Sequence, residues 1–121
     1  MVWDPARVTP KVWESVLEFY RHLEERNDDF RPLCHLVGHV AGQAYAPSIA
    51  AATSGTALLV APRAQADWAH EAIRIDVDLA GSIRFTLPSE RLVKPATFEC
   101  ESAKIVGTFE SFLRKSGWIE P

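Results

Sequence analysis

The stretch AIRIDVDLAGSIRFTL, residues 72–87, alternates apolar and polar side chains, turns at Gly81-Ser82 and then alternates again. Because successive side chains of a strand point to opposite faces, this pattern is typical of an antiparallel hairpin with one apolar and one charged face. The predicted apolar face carries Ile73, Ile75, Val77, Leu79, Ile83, Phe85 and Leu87. The predicted polar face carries Arg74, Asp76, Asp78 and Arg84. The stretch therefore predicts a sheet that packs one face against a core.

A helix is predicted before this hairpin, from about residue 9 to residue 27. Thr9 is a suitable N-cap, and Pro10 fits the first helical position. Apolar residues recur through the segment at helical spacing and form one broad face, made of Val12, Trp13, Val16, Leu17, Phe19, Tyr20 and Leu23. This face is expected to cover the apolar side of the sheet.

The region between the helix and the hairpin is less regular. Residues 33–40 are interpreted as a strand weakened by Gly38, and residues 44–53 as a second strand in which Pro47 prefers an edge or a bulge. Small residues dominate positions 41–52, so close packing and irregular structure both stay open. Ser54-Gly55 is a turn signal, and residues 56–61 predict a short buried strand that ends before Pro62.

A second helix is predicted from residue 97 or 98 to residue 116. Its apolar positions follow helical spacing through Phe98, Ser102, Ile105, Val106, Phe109, Phe112 and Leu113. Gly107 lies inside this helix and costs about 1 kcal/mol relative to alanine. Gly117 is placed for the left-handed residue that follows a helix. The chain is thus predicted to be a single α+β domain over residues 1–121, an antiparallel meander with an N-terminal and a C-terminal helix packed on one face.

Composition limits the classes of function. The chain has 121 residues with a formal net charge of -3, and this mild acidity disfavours nucleic acid as a partner. No apolar run approaches the roughly 20 residues needed to span a bilayer, so no membrane association is expected. The N-terminus lacks a basic start and an apolar core, so it does not look like a secretory signal, and a cytoplasmic location is the expectation.

Reactive side chains are few and scattered. Cys34 and Cys100 are expected to be reduced thiols, although the sequence does not decide whether they pair. Cys34, His35 and His39 are weak metal candidates, because a third zinc ligand would have to come from far away in the sequence. Two neutral histidines on a half-exposed strand are the favoured interpretation. No catalytic residue and no cofactor are predicted, since phosphate loops and nucleophile elbows are missing from the sequence.

One segment does look suited to binding a partner. Asp67, Trp68, His70 and Glu71 combine an aromatic ring, an imidazole and two acids just before the hairpin. Tryptophan is favoured at the centre of protein interfaces, and acids there provide charge complementarity. The alternative, a Trp68 that caps the edge of the core beside solvated neighbours, stays equally open. The predicted partner-binding surface therefore consists of these four residues with the polar face of the hairpin, Arg74, Asp76, Asp78 and Arg84.

The order helix, meander, helix resembles the small immunity proteins of bacterial toxin and contact-dependent inhibition systems. The resemblance covers the whole chain as a layout, through the Thr9-Pro10 helix start, the strand entry with Trp68 and Glu71, and the segment from Phe109 to Trp118. It implies a cytosolic, non-enzymatic protein that neutralises one cognate toxin by occluding it, and the net negative charge suits a basic toxin. Two alternatives stay open: a small metal-binding or thiol-dependent enzyme that uses Cys34, His35 or His39, and a structural or adaptor subunit that forms a homodimer.

Overall fold

The computed structural model describes residues 12–63, 72–78, 82–87 and 96–119, which form three α-helices and five β-strands. In chain order these are α1 Trp13–Arg26, α2 Arg31–Ala41, β1 Ile49–Ser54, β2 Ala57–Pro62, β3 Ile73–Val77, β4 Ile83–Leu87, β5 Ala96–Cys100 and α3 Ile105–Lys115. Consecutive strands pair antiparallel, so the sheet order is β1-β2-β3-β4-β5. The predicted α+β meander with N-terminal and C-terminal helices is confirmed, and a third helix is added between α1 and the sheet.

A single apolar core lies between the three helices and one face of the sheet. The helices contribute Trp13, Val16, Tyr20, Leu33, Leu36, Val37, Val40, Ile105, Phe109 and Leu113. The strands contribute Ile49, Ala51, Leu58, Val60, Ile73, Ile75, Ile83 and Phe85. Burial of this apolar area is the main stabilising term, and each large side chain contributes about 1.5–3 kcal/mol when fully buried.

The hairpin of residues 72–87 has the predicted facing. Ile73, Ile75, Ile83 and Phe85 are completely buried, while their neighbours on the strands are not. The turn is closed by a hydrogen bond from the Asp78 N–H to the Ser82 carbonyl at 3.0 Å. Leu79 and the side chain of Leu87 lie outside the described residues. The period-two pattern was reliable here because only one face of this hairpin meets the core.

The interpretation of residues 33–40 as a strand is wrong, because this segment is helix α2. Leu33, Leu36, Val37 and Val40 recur at helical spacing, and all four are completely buried. Gly38 does not break the helix, since it lies where α2 approaches α1. A Cβ added there would stand 3.6 Å from Leu17 Cδ1, which is ordinary contact.

The predicted strand over residues 44–53 begins later than expected. Pro47 lies in a short 3₁₀ turn, Ala46–Ser48, and β1 starts only at Ile49. The Ser54-Gly55 turn is confirmed as a two-residue hairpin. Gly55 has φ 60° and Thr56 does not have a positive φ, which is the sign pattern of a type II′ turn. The predicted strand over residues 56–61 is observed as β2, shifted by one residue: Thr56 lies in the turn and Pro62 is the last residue of the strand.

The C-terminal helix starts later than predicted, because residues 96–100 form strand β5. Phe98 pairs with Phe85 on β4, and their rings stack with centroids 5.1 Å apart. This cross-strand contact outweighs the helical spacing that Phe98 shares with α3. Gly107 does lie within α3, and Gly117 follows it with φ 74°, as predicted. Among the described helices, none has the length and apolar character needed to cross a membrane.

Candidate functional site

The polar residues of the hairpin do lie together on the sheet face that points away from the core. Asp76 is the cross-strand neighbour of Arg84, and Arg84 is in turn the neighbour of Glu99 on β5. Asp76, Arg84 and Glu99 thus form a row across three strands. Arg74 begins the adjacent cross-strand row, which continues through Thr86 on β4 and Thr97 on β5. We call this region the polar sheet surface, and it consists of Arg74, Asp76, Asp78, Arg84, Thr86, Thr97 and Glu99. Its charged side chains are a quarter to three-fifths exposed.

Ion pairs along β3 and between neighbouring strands hold these charged side chains in place. Arg74 Nε donates to Asp76 Oδ2 at 3.3 Å, and Arg84 lies 3.8 Å from Glu99 and 4.0 Å from Asp78. Asp78 also accepts a hydrogen bond from the Ser82 N–H through Oδ1 at 2.9 Å, so it stabilises the turn as well. Exposed pairs of this kind contribute about 0–1 kcal/mol each to stability. Their main effect is to order the side chains that a partner would meet.

The polar sheet surface does not extend over the whole outer face. On β1 and β2 the outward positions are apolar and buried, and they form a second small cluster of Ala50, Ala52, Leu59 and Ala61. Four residues of the predicted partner-binding set, Asp67, Trp68, His70 and Glu71, lie outside the described residues. The structure therefore brings together Arg74, Asp76, Asp78 and Arg84, and it adds Glu99, which the sequence analysis had assigned to a helix.

The weak metal candidates do not form a shared site. All three lie on α2, where His35 is exposed and His39 contacts Glu110. Burial, and after it a hydrogen bond from the thiol to Glu24, raise the pKa of the Cys34 thiol to about 11. Within the described residues, no group of three or more histidines, cysteines or acids is placed to hold a metal ion. Cys34 and Cys100 are both free thiols, and burial raises the pKa of Cys100 as well.

A second polar cluster, which the sequence analysis missed, lies in a cleft between the end of α2 and α3. Glu110 is its centre: Oε2 accepts the Tyr45 hydroxyl at 2.6 Å and lies 3.0 Å from His39 Nε2. Arg114 approaches Oε1 at 4.0 Å. The cleft has a volume of about 900 Å³, and Trp118 forms part of its wall. The Glu110 side chain is only 17% exposed, so these bonds are largely shielded from water.

The protonation states in this cleft follow from its contacts. The Tyr45 hydroxyl holds the pKa of Glu110 below its usual value, and His39 and Arg114 act in the same direction. Burial, and then the bond to Glu110, raise the pKa of Tyr45. Tyr45 therefore stays protonated and donates to an ionised Glu110. Since that carboxylate can only accept, His39 donates to it through Nε2.

These assignments give the cleft a structural role. Each polar group in the pair Tyr45–Glu110 already has a partner, and no thiol lies among the residues that line the cleft. His39 lies in α2, Tyr45 in the connection that follows it and Glu110 in α3, so the cluster ties the chain before the sheet to the last helix. A helical i, i+4 pair of Glu110 and Arg114 was visible in the sequence, but its link to a histidine 71 residues away was not.

Comparison with known proteins assigns no relationship. No protein-family model matches this chain, and no curated protein or solved structure matches it either.

Proposed function

We propose that this protein is a non-enzymatic binding module that recognises another protein through the polar sheet surface. In its narrower form, the proposal is that the chain acts like an immunity protein and neutralises a cognate bacterial toxin by occlusion. The observation that carries the proposal is the row Asp76, Arg84 and Glu99, in which charges of alternating sign cross three adjacent strands.

A sheet is a favourable place for such a row. The backbones of β3, β4 and β5 are fixed by their ladders, and the lateral ion pairs restrict the side chains before any partner arrives. Binding then costs less side-chain entropy than it would for free arginine and aspartate side chains. A pattern of alternating sign also gives specificity, because a partner in the wrong register meets like charges.

The net charge of -3 supports a basic partner. Long-range attraction would raise the association rate with a cationic domain, and this contribution would weaken with added salt. A toxin that acts on nucleic acid carries such a basic surface for its own substrate. Covering that surface would both bind the toxin and block it.

The proposal is tested by retention of a partner from extracts of the source cells. Wild-type protein is compared with Asp76→Arg and with Glu14→Arg, which changes the net charge equally at an exposed position on α1. We expect one protein in near-stoichiometric amount with wild type and with Glu14→Arg, and its loss with Asp76→Arg. Equal retention by Asp76→Arg would contradict the assigned surface, and retention of no protein by any form would contradict the function.

The same assay separates the narrower proposal from the broader one. If the retained protein is a toxin, its activity should be inhibited by wild-type protein at a one-to-one ratio and should return when Asp76→Arg replaces it. The single variant Trp68→Ala, compared with wild type, then measures what the segment before the hairpin adds to retention of the partner. If the retained protein has no toxic activity, the broader proposal of a binding module is supported and the narrower proposal of an immunity role is rejected.

A further inference from the structure

Strand β5 forms one edge of the sheet, and its surroundings differ from those of the opposite edge. Thr97, Phe98 and Glu99 are all exposed, whereas β1 at the other edge is mostly buried. Phe98 is 36% exposed and is one of two large hydrophobic side chains that stand exposed among the described residues. An exposed edge strand presents unpaired backbone groups that can accept another strand.

The phase of the ladder shows which backbone groups point outward from β5. Hydrogen-bonded and non-hydrogen-bonded pairs alternate along antiparallel strands. The bond between Asp78 and Ser82 marks a hydrogen-bonded pair, and so Asp76 and Arg84, one alternation further along the strands, form another. Arg84 therefore directs its backbone groups toward β3. Its neighbour Phe85 directs them the other way, toward its β5 partner Phe98. The N–H and C=O groups of Thr97 and Glu99 therefore point away from β4.

An independent feature agrees with this phase. The same alternation can be followed from β3 through β2 to β1, and it makes Ser54 and Ala57 a hydrogen-bonded pair. The two-residue turn between β1 and β2 requires this pairing of the residues that flank it. The outward direction of Thr97 and Glu99 thus follows from two separate turns of the meander.

A groove runs beside this edge, between β5 and α3. It has a volume of about 630 Å³, with Phe98 on the strand side and Gly107 and Phe112 on the helix side. A Cβ placed on Gly107 would meet nothing within 4 Å, so the middle of the groove is open. Lys104 and Lys115 line its two ends, and no acid is among the lining residues that the structure describes.

We propose that this edge and groove bind an extended acidic segment of a partner protein, which adds to the sheet as a sixth strand. Thr97 and Glu99 supply the backbone hydrogen bonds, and an apolar side chain of the segment enters between Phe98 and Gly107. Lys104 immediately precedes α3 and Lys115 is its last residue, so the two lysines are eleven residues apart, a helical rise of about 16 Å. Two acids that are four residues apart on a strand share one face and are about 13 Å apart, and the long lysine side chains can cover the remaining distance. The segment therefore has the pattern acid, any, apolar, any, acid.

A second copy of this chain is a poorer occupant. Two-fold pairing of β5 with itself would bring two α3 helices together across the edge, and each contributes Lys104 and Lys115 to the groove. Four lysines would then lie close together, with no acid among the described lining residues, and they would repel one another. This proposal goes beyond the function proposed above, since it depends on the β5 backbone and on α3 rather than on the charged row.

The first test is amide hydrogen exchange in the free protein. We expect the Thr97 and Glu99 amides to exchange as fast as exposed loop amides, and the Phe98 and Cys100 amides to be protected. Protection of Thr97 and Glu99 at low protein concentration would show that the edge is already occupied and would overturn the proposal. Protection that appears only in a dimer, detected by sedimentation, would replace the segment with a second copy and also overturn it.

The second test is titration with a terminally blocked peptide, Ser-Glu-Thr-Leu-Thr-Glu-Ser, followed by amide chemical shifts. We expect it to bind about tenfold more tightly than the same peptide with lysine at both glutamate positions. The double variant Lys104→Glu with Lys115→Glu should reverse this preference. Equal binding of the two peptides, or a preference that the variant does not reverse, would overturn the proposal.

A pair of proline variants tests the phase itself. Thr97→Pro removes only an outward N–H, so it should preserve the fold and abolish peptide binding. Phe98→Pro removes an N–H that bonds to β4, so it should lower the melting temperature markedly. If Thr97→Pro binds the acidic peptide as wild type does, backbone pairing at this edge is excluded.

Discussion

Glu110 joins α3 to the segment that precedes the sheet, and replacing it with glutamine tests how this tie stabilises the fold. The change keeps the shape of the side chain and removes its charge. Hydrogen bonds to a charged group contribute about 1.5–3 kcal/mol each, and neutral ones about 0.5–1.5 kcal/mol. Glu110 has two such bonds, from Tyr45 and His39, so Glu110→Gln should lower the free energy of unfolding by about 2 kcal/mol at pH 7.

The effect is large enough for thermal unfolding to measure. An unfolding entropy of about 2.1 cal/mol/K per residue gives roughly 0.25 kcal/mol/K for a chain of this size, so the melting temperature should fall by about 8 °C. Glu14→Gln is the matched control, because it removes the same charge at an exposed position of α1. It should shift the melting temperature by no more than about 2 °C.

The dependence on pH distinguishes a charged tie from simple packing. The pKa of Glu110 is lowered in the folded protein, so the folded state binds fewer protons than the unfolded state and gains stability as the pH rises. The advantage of wild type over Glu110→Gln is therefore complete well above pH 4.5, the ordinary value for a glutamate, and is lost as the pH falls through the lowered value. A difference that is the same at pH 7 and pH 3 would refute the assignment of an ionised Glu110.

Three further predictions concern other parts of the fold. Gly107→Ala should raise the free energy of unfolding by about 0.5–1 kcal/mol in urea titrations, because the site is helical and open, whereas Gly117→Ala should lower it by about 1–2 kcal/mol because φ is 74°. Opposite signs from these would contradict the described helix end. Tyr20→Phe should cost about 0.5–1.5 kcal/mol in the same titration, through loss of the hydroxyl bond to the Thr56 carbonyl at 3.1 Å, and no loss would show that this bond is not formed. Alkylation of Cys34 by iodoacetamide should be slow at pH 8 and should accelerate up to about pH 11, and rapid reaction at pH 7 would favour the thiol-dependent alternative.

The parts of the fold that were predicted correctly have patterns enforced by one-sided burial. The hairpin of β3 and β4 was predictable because Ile75 and Phe85 must face the core while Asp76 and Arg84 cannot. The body of α1 was predictable for the same reason, through Trp13, Val16 and Tyr20, but the predicted start near residue 9 is wrong, because Val12 is extended and the helix begins at Trp13.

The errors arose where local preference and tertiary packing disagree. Gly38 was expected to weaken a strand, yet it lies in helix α2, where a Cβ added to it would stand 3.6 Å from Leu17 Cδ1 on α1. Phe98 fits the helical spacing of α3, yet its ring stacks on Phe85 across the sheet. In both cases the structure is decided by a contact with another helix or strand, and not by the neighbours of Gly38 or Phe98 in the sequence.

For the candidate sites, too, residues that share one local element were predictable, and contacts between distant elements were not. The polar residues of the hairpin were predictable as a group because they share one face of one hairpin. Glu99 was missed because β5 was missed, and with it the full row across three strands. The cleft around Glu110 could not be predicted, because its partners Tyr45 and His39 are 65 and 71 residues away and meet it only through the packing of α2 against α3.

The central claim is that this protein acts through the polar sheet surface rather than through the cleft. The most direct measurement is an amide chemical-shift map of the labelled protein as the partner retained from extracts is added. We expect the largest changes at Arg74, Asp76, Arg84 and Glu99, and little change at His39 and Glu110. Changes centred on His39 and Glu110, with the strands β3 to β5 unaffected, would contradict the claim.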